Sequence, residues 1–163
     1  LRRGSKASII GKPKTAKSFF AIQLGLCISL GLPFLGSETS KAKVMYINFE
    51  ISQEKLQERI ADVLKQLDAT GPEDFFVCTL EGLELEFEEG WKALNNEVSA
   101  VPDLDVLIID PRRQSMGGDE NQSEILTKWT HNVDKIMADH GLSVIIVHHD
   151  GTSTTGTGRG SNV

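Results

Sequence analysis

Short apolar runs alternate with longer amphipathic stretches along the chain, and this alternation restricts the fold more than any other feature. The five apolar runs predict β-strands over residues 7–10, 43–49, 75–79, 106–109 and 143–147. The stretches between them predict helices over residues 17–30, 52–67, 89–98 and 122–140. Such an order favours an α/β fold, in which a mainly parallel sheet carries helices on both faces.

The length of 163 residues is that of one domain, and 39% hydrophobic with 25% charged residues is an ordinary globular composition. We therefore expect a single domain over residues 1–163. No apolar run approaches the roughly 18 residues of a membrane span, so a membrane partner is not expected. Two isolated cysteines, Cys27 and Cys78, favour a reducing, cytoplasmic setting. Because residues 162–163 follow a loop directly, we also expect a fragment, incomplete at both ends.

The net charge of −6 is unevenly distributed. Residues 1–37 carry six basic side chains and no acidic one, whereas residues 38–105 carry sixteen of the 23 acids. This asymmetry predicts a local anion site on an acidic body. The acidic run over residues 81–89 is expected to be a solvated face, and Trp91 and Trp129 are expected to be packing residues.

The eight residues between the first predicted strand and the first predicted helix match a phosphate-binding loop, G-x-x-x-x-G-K-[ST]. They are Gly11, Lys12, Pro13, Lys14, Thr15, Ala16, Lys17 and Ser18, with Ala16 in place of the second glycine. Backbone N–H groups and the helix N-terminus attract phosphate in such a loop. Lys17 is predicted to contact the β- and γ-phosphates and Ser18 to bind Mg²⁺. The competing interpretation is an ordinary basic turn.

Two acidic residues follow predicted strands, at the sheet edge where open α/β folds bind ligands. Asp110 ends the apolar run 106–109 and is predicted to hold the Mg²⁺ shell. Glu50 ends the second strand and is predicted to orient and deprotonate an attacking water. The alternatives are a turn Asp before Pro111 and a Glu that interacts with the next helix N-terminus.

His148 and His149 end the last predicted strand at the same edge. Because side chains alternate along a strand, one of the two is expected to face the nucleotide and to sense the γ-phosphate. Arg112 and Arg113 follow Asp110, and Arg159 lies in a Gly/Thr-rich tail. These arginines suit phosphate contacts, with nucleic acid or with ATP on a neighbouring subunit, or are solvated surface charges.

In the order of its motifs, the chain resembles RecA-like P-loop ATPases, within them the RepA/DnaB-type replicative helicase branch. The matching stretches are IIGKPKTAKSFFAIQLGL, VMYINFEISQEKLQERI, VLIIDPRRQSMGGDENQ, VIIVHHDG and GRGS. The resemblance implies a RecA-like core with the strand before the phosphate loop at one side and the final strand next to it. It also implies that ATP with Mg²⁺ is the bound cofactor and that rings, such as hexamers, or filaments assemble around single-stranded DNA.

Carried onto this chain, the resemblance implies Lys17 and Ser18 as phosphate and Mg²⁺ residues, Asp110 as the second Mg²⁺ residue and Glu50 as catalytic base. The activity implied is that of a Mg²⁺-dependent ATPase, a replicative DNA helicase. Two alternatives stay open: a recombination or annealing ATPase, and a nucleotide-gated loader with little turnover.

Overall fold

The computed structural model describes residues 2–118 and 122–149, for His149 the backbone only. Five strands and four helices alternate, with one short 3₁₀ helix, Arg112–Ser115. The strands are β1 (Lys6–Gly11), β2 (Val44–Asn48), β3 (Phe75–Thr79), β4 (Val106–Asp110) and β5 (Ser143–His149). The helices are α1 (Lys17–Leu30), α2 (Gln53–Gln66), α3 (Glu88–Ser99) and α4 (Ser123–His140).

All five strands lie parallel in one sheet, in the order β1-β5-β4-β2-β3. The strand before the phosphate loop is therefore at an edge, with the last strand beside it. Because parallel strands end at a common edge, the carboxyl ends of β1, β2, β4 and β5 are brought together there. The predicted α/β class and its mainly parallel sheet are confirmed, and the topology is that of a RecA-like P-loop core.

Two apolar clusters cover the two faces of the sheet. On one face, α1 and α2 pack against alternate strand residues, and on the other α3 and α4 pack against the remaining ones. Ile108 belongs to the first cluster and its neighbours Leu107 and Ile109 to the second. Side chains of β2 and β4 point alternately to the two faces, and both faces are covered by helices. Every residue of these two strands is therefore buried, as the continuous apolar runs predict.

The ends of the elements differ from the predictions by one or two residues. Ser52 caps α2, since its side chain accepts a hydrogen bond from the Lys55 N–H at 3.5 Å. Gly141 ends α4 in the left-handed conformation, with φ of 65°. β4 and β5 continue past their apolar runs, so that Asp110 and His148 lie within strands.

The acidic run over residues 81–89 is not uniformly a solvated face, and that prediction is wrong for Glu86. Leu85 and Glu86 are buried, and the Glu86 carboxylate accepts a hydrogen bond from the Gly117 N–H at 2.6 Å. The expected packing role of Trp129 is confirmed, because this side chain is buried in the core below α4. Over the part of the chain that the structure describes, no helix could cross a membrane.

Candidate functional site

A cavity of about 400 Å³ opens at the carboxyl edge of the sheet, between the phosphate loop and the start of α2. The residues that line it belong to the phosphate loop and the start of α1, the turn after β2, helix α2, and strands β4 and β5. They are Lys14, Thr15, Ala16, Lys17, Ser18, Phe19, Glu50, Ile51, Arg59, Asp110 and Val147. The structure thus brings together Lys17, Ser18, Glu50 and Asp110, four residues that the sequence singles out separately.

The phosphate loop, residues 11–18, is held by its own backbone conformation. Lys14 and Ala16 both have left-handed backbone, with φ of 62° and 59°. Thr15 Oγ1 donates to the Lys12 carbonyl at 2.8 Å. Ala16 occupies a conformation that favours glycine, at a cost of about 1 kcal/mol. This explains why the motif ordinarily has glycine at this position.

Ala16 is also the N-cap residue of α1, and it has no side-chain atom that could cap the helix. The first turn of α1 carries no acidic residue. The N–H groups and the positive end of the helix dipole are therefore not neutralised by the helix's own side chains. A helix start of this kind, facing a cavity, favours an anionic ligand.

The Lys17 side chain is buried and its ammonium lies inside the loop. Nζ donates to the Gly11 carbonyl at 2.9 Å and to the Lys12 carbonyl at 2.7 Å. Gly11 and Lys12 thus take part in the site through their backbone oxygens. A full positive charge is fixed at the centre of the loop, where a phosphate group would be stabilised.

Asp110 is a buried carboxylate at the end of β4. The Tyr46 hydroxyl donates a hydrogen bond to Asp110 Oδ2. Burial raises the pKa of Asp110 above its usual value, while the nearby Tyr46 and Ser18 hydroxyls act in the opposite direction. The nearby Glu50 charge raises this pKa further and the Arg59 charge lowers it.

Glu50 lies at the rim of the cavity, on a turn that Asn48 stabilises. Asn48 Oδ1 accepts hydrogen bonds from the backbone N–H groups of Glu50 and Ile51, both at 3.2 Å. Asn48 Nδ2 donates to the Ile51 carbonyl at 2.5 Å. Glu50 is exposed, whereas Asp110 lines the same cavity from a buried position.

Sequence reasoning missed Arg59 and Tyr46. Arg59 lies on α2, lines the cavity and places its guanidinium 5.4 Å from the centroid of the Phe19 ring. Burial raises the pKa values of both Tyr46 and Asp110, and the Arg59 charge offsets part of this rise. The sequence position of Arg59 could have indicated its place in the site. Arg59 lies two helical turns beyond the Ser52 cap, and Ser52 closely follows the predicted catalytic residue Glu50.

Of the predicted sensor and DNA-contact residues, the structure describes the side chains of Arg112, Arg113 and His148, and none of these three lines the cavity. His148 Nε2 is 3.1 Å from a terminal guanidinium nitrogen of Arg112. Arg113 Nη1 donates to the Gly118 carbonyl at 2.8 Å. The His149 side chain and Arg159 lie outside the described residues.

The fold and the site together define a P-loop ATPase with a RecA-like core. The chain belongs to the AAA domain family AAA_25, whose model matches residues 1–154, and it is a nucleotide-binding ATPase domain. No curated protein matches the sequence.

Proposed function

We propose that this domain binds ATP with Mg²⁺, hydrolyses it, and acts as the motor of a RepA-type replicative helicase on single-stranded DNA. The observation that carries the ATPase part is one cavity that holds Lys17, Ser18, Asp110 and Glu50. Few other activities need a fixed ammonium, a hydroxyl beside a buried carboxylate, and an exposed carboxylate at the rim. The motor and helicase part rests on the resemblance in motif order.

The residues present fit a bound Mg²⁺. The Ser18 hydroxyl and the Asp110 carboxylate both line the cavity, and both are hard oxygen donors of the type that Mg²⁺ prefers. Two protein donors are sufficient, because this ion keeps several waters and takes the rest of its shell from phosphates. When bound, Mg²⁺ supplies charge neutralisation for the phosphates.

The chain's own residues have separate roles in hydrolysis. Lys17 and the N–H groups at the start of α1 bind and orient the phosphates and stabilise the negative charge of the transition state. Glu50 positions the attacking water and accepts its proton. Glu50 is distant from Asp110 along the chain, but the sheet brings the two residues near each other, because β2 and β4 end side by side at Asn48 and Asp110.

Coupling to DNA is proposed to run through the end of β5 and the segment after β4. Arg112 and His148 join these two segments by their side chains, and through this contact a change at one segment would be transmitted to the other. His148 or His149 would sense the γ-phosphate. Arg112, Arg113 and Arg159 would contact single-stranded DNA or a neighbouring subunit in a ring or filament.

The first experiment is titration calorimetry of ATP with Mg²⁺ on the wild type, Lys17→Ala and the matched control Lys65→Ala. Lys65 is an exposed lysine in the last turn of α2, remote from the loop. Lys17→Ala should lose about ten- to hundredfold in affinity, the magnitude of a charge-assisted hydrogen bond. Lys65→Ala should bind as the wild type does.

Turnover is then measured with and without single-stranded DNA, followed by unwinding of forked DNA. DNA-stimulated turnover with unwinding supports the helicase. Stimulated turnover with annealing but no unwinding would favour a recombination ATPase. Tight binding with negligible turnover would indicate a nucleotide-gated loader, and no binding by a folded wild type would overturn the ATPase itself.

A further inference from the structure

We propose that Tyr46 is a positioning residue of this site: its hydroxyl holds the Asp110 carboxylate in the orientation that Mg²⁺ binding requires. The inference rests on the proposed ATPase function. It assigns a role to a buried polar group in the middle of an otherwise apolar strand, for which the core alone gives no reason.

Tyr46 lies in β2, on the same face of the sheet as Asp110. It is 1% exposed and belongs to the apolar cluster beneath α1 and α2. Its ring packs against Phe75, with the ring centroids 6.5 Å apart. The phenol ring is therefore held by packing, and the position of its oxygen is determined by the core and not by the loop.

Asp110 pairs across the sheet with Asn48, two residues beyond Tyr46 on the neighbouring strand. The Tyr46 hydroxyl reaches along the strand to Asp110 Oδ2. A carboxylate rotates easily about its terminal bond, since that torsion has broad, roughly two-fold minima. A donor fixed by the core restricts this rotation, which a mobile water could not do.

Ser18, in the first turn of α1, is the other proposed Mg²⁺ ligand, and it lowers the pKa of the same carboxylate. A metal ion would alter the interaction between Ser18 and Asp110, because both are proposed ligands. The hydrogen bond from Tyr46 comes from β2 and maintains Asp110 in place while that change occurs.

The test is Tyr46→Phe, which removes the hydroxyl and keeps the ring. The dissociation constant for ATP is measured with Mg²⁺ and with EDTA, and the ratio of the two gives the gain due to the ion. This gain should fall about three- to tenfold in Tyr46→Phe, less than the full value of one hydrogen bond to a charged group, because Asp110 is still present and only its orientation is released. Binding in EDTA should stay unchanged.

Ser143→Ala is the matched control. Ser143 is also buried, and its hydroxyl donates to the Arg2 carbonyl at 3.0 Å, at the opposite edge of the sheet. Both variants lose a buried hydroxyl and should lose stability. If the role of Tyr46 is only structural, both variants keep the wild-type Mg²⁺ gain, and the inference is overturned.

A second readout uses the fact that Tyr46 is the single tyrosine of the sequence. The ¹³Cζ resonance of labelled tyrosine therefore reports this hydroxyl alone. Adding Mg²⁺ to the ATP-loaded wild type should shift it, and the shift should be absent in Asp110→Asn. An unmoved resonance in the wild type would contradict the proposal even if Tyr46→Phe failed to fold.

The two proposals fail differently. A wild type that binds no ATP in either condition overturns the ATPase function and this inference with it. A wild type whose Mg²⁺ gain survives in Tyr46→Phe overturns the role of Tyr46 and leaves the ATPase function intact.

Discussion

Two segments at the carboxyl edge of the sheet, one at the end of β1 and one after β4, are stabilised in different ways. The phosphate loop, residues 11–18, bonds mainly to itself: Lys17 and Thr15 both donate to the carbonyl of Lys12. It holds two non-glycine residues in left-handed conformation. Its shape is thus determined by residues within the segment.

The second loop, residues 111–118 (the β4 loop), also bonds to itself through Arg113 and Ser115, but it is held in addition by residues far away along the chain. The Ser115 carbonyl accepts from the Leu85 N–H at 2.8 Å, and its hydroxyl accepts from Trp129 Nε1 at 2.9 Å. The Gly117 N–H donates to the Glu86 carboxylate. These partners precede α3 or lie on α4, so the β4 loop is stabilised by the face of the sheet opposite the phosphate loop.

The difference predicts two kinds of sensitivity. Substitutions in the phosphate loop should change ligand binding and leave stability almost unaltered. The β4 loop should respond to substitutions outside it, and these should change stability first. Measuring ligand affinity and the free energy of unfolding on the same preparations tests this difference between the two loops.

The largest effect is expected from Trp129→Ala. This buried side chain fills the core below α4 and also holds Ser115, so its removal should cost about 3–5 kcal/mol of unfolding free energy. Chemical denaturation monitored by circular dichroism measures it. Trp129→Phe should cost less, because most of the packing is retained. A loss below about 1 kcal/mol for Trp129→Ala would show that the β4 loop is not held from this side.

Glu50→Gln should alter chemistry without altering stability, like a substitution in the phosphate loop. Turnover should fall about hundredfold or more, since a general base is lost, while ATP affinity changes little. Single-turnover hydrolysis and calorimetry on the same sample measure both quantities. Glu58→Gln, on the exposed part of α2, is the control and should retain wild-type turnover. Equal turnover in the two variants would remove Glu50 from the mechanism.

Glu86→Ala should destabilise the protein by about 1–3 kcal/mol, because the hydrogen bond that the buried Glu86 carboxylate accepts from the Gly117 N–H is lost. Glu89→Ala, in the same acidic run but exposed, should change stability by less than about 0.5 kcal/mol. Thermal unfolding of the two variants in parallel measures the difference. If both behave as exposed residues, the prediction of a solvated face would be right after all, and the buried contact would be irrelevant to stability.

These two loops also mark what the sequence could predict. The phosphate loop, the strand before it and α1 were predictable because their signals are local: a loop motif, a short apolar run and a helical period. Asp110 and Glu50 were found because each ends an apolar run, and parallel strands share an edge. The left-handed backbone at Ala16 follows from the glycine that the motif ordinarily has there.

Residues whose role depends on a distant partner were not predictable. Tyr46 sits in an apolar strand and resembles a core residue until β4 is placed beside β2. Arg59 is one of several charges on an amphipathic helix, and only the packing of α2 brings it to the cavity. Glu86 was misjudged for the same reason, because its partner Gly117 is 31 positions away.

The smallest effect, and the most direct probe of the phosphate loop, is expected from Ala16→Gly. Glycine adopts a φ of 59° without steric cost, but it loses more backbone entropy on folding. The two terms are similar, so the free energy of unfolding should stay equal or rise by up to about 1 kcal/mol. Nucleotide affinity should stay equal or improve, since the loop is no longer strained.

Ala61→Gly provides the matched control, because Ala61 is equally exposed but lies inside α2 with ordinary helical neighbours. There the same substitution should cost about 1 kcal/mol. Denaturant unfolding of both variants gives the two values with a common reference. If Ala16→Gly destabilises the protein as much as Ala61→Gly does, the loop is not strained at Ala16. Its self-contained stability would then have to come from the Lys17 and Thr15 bonds alone.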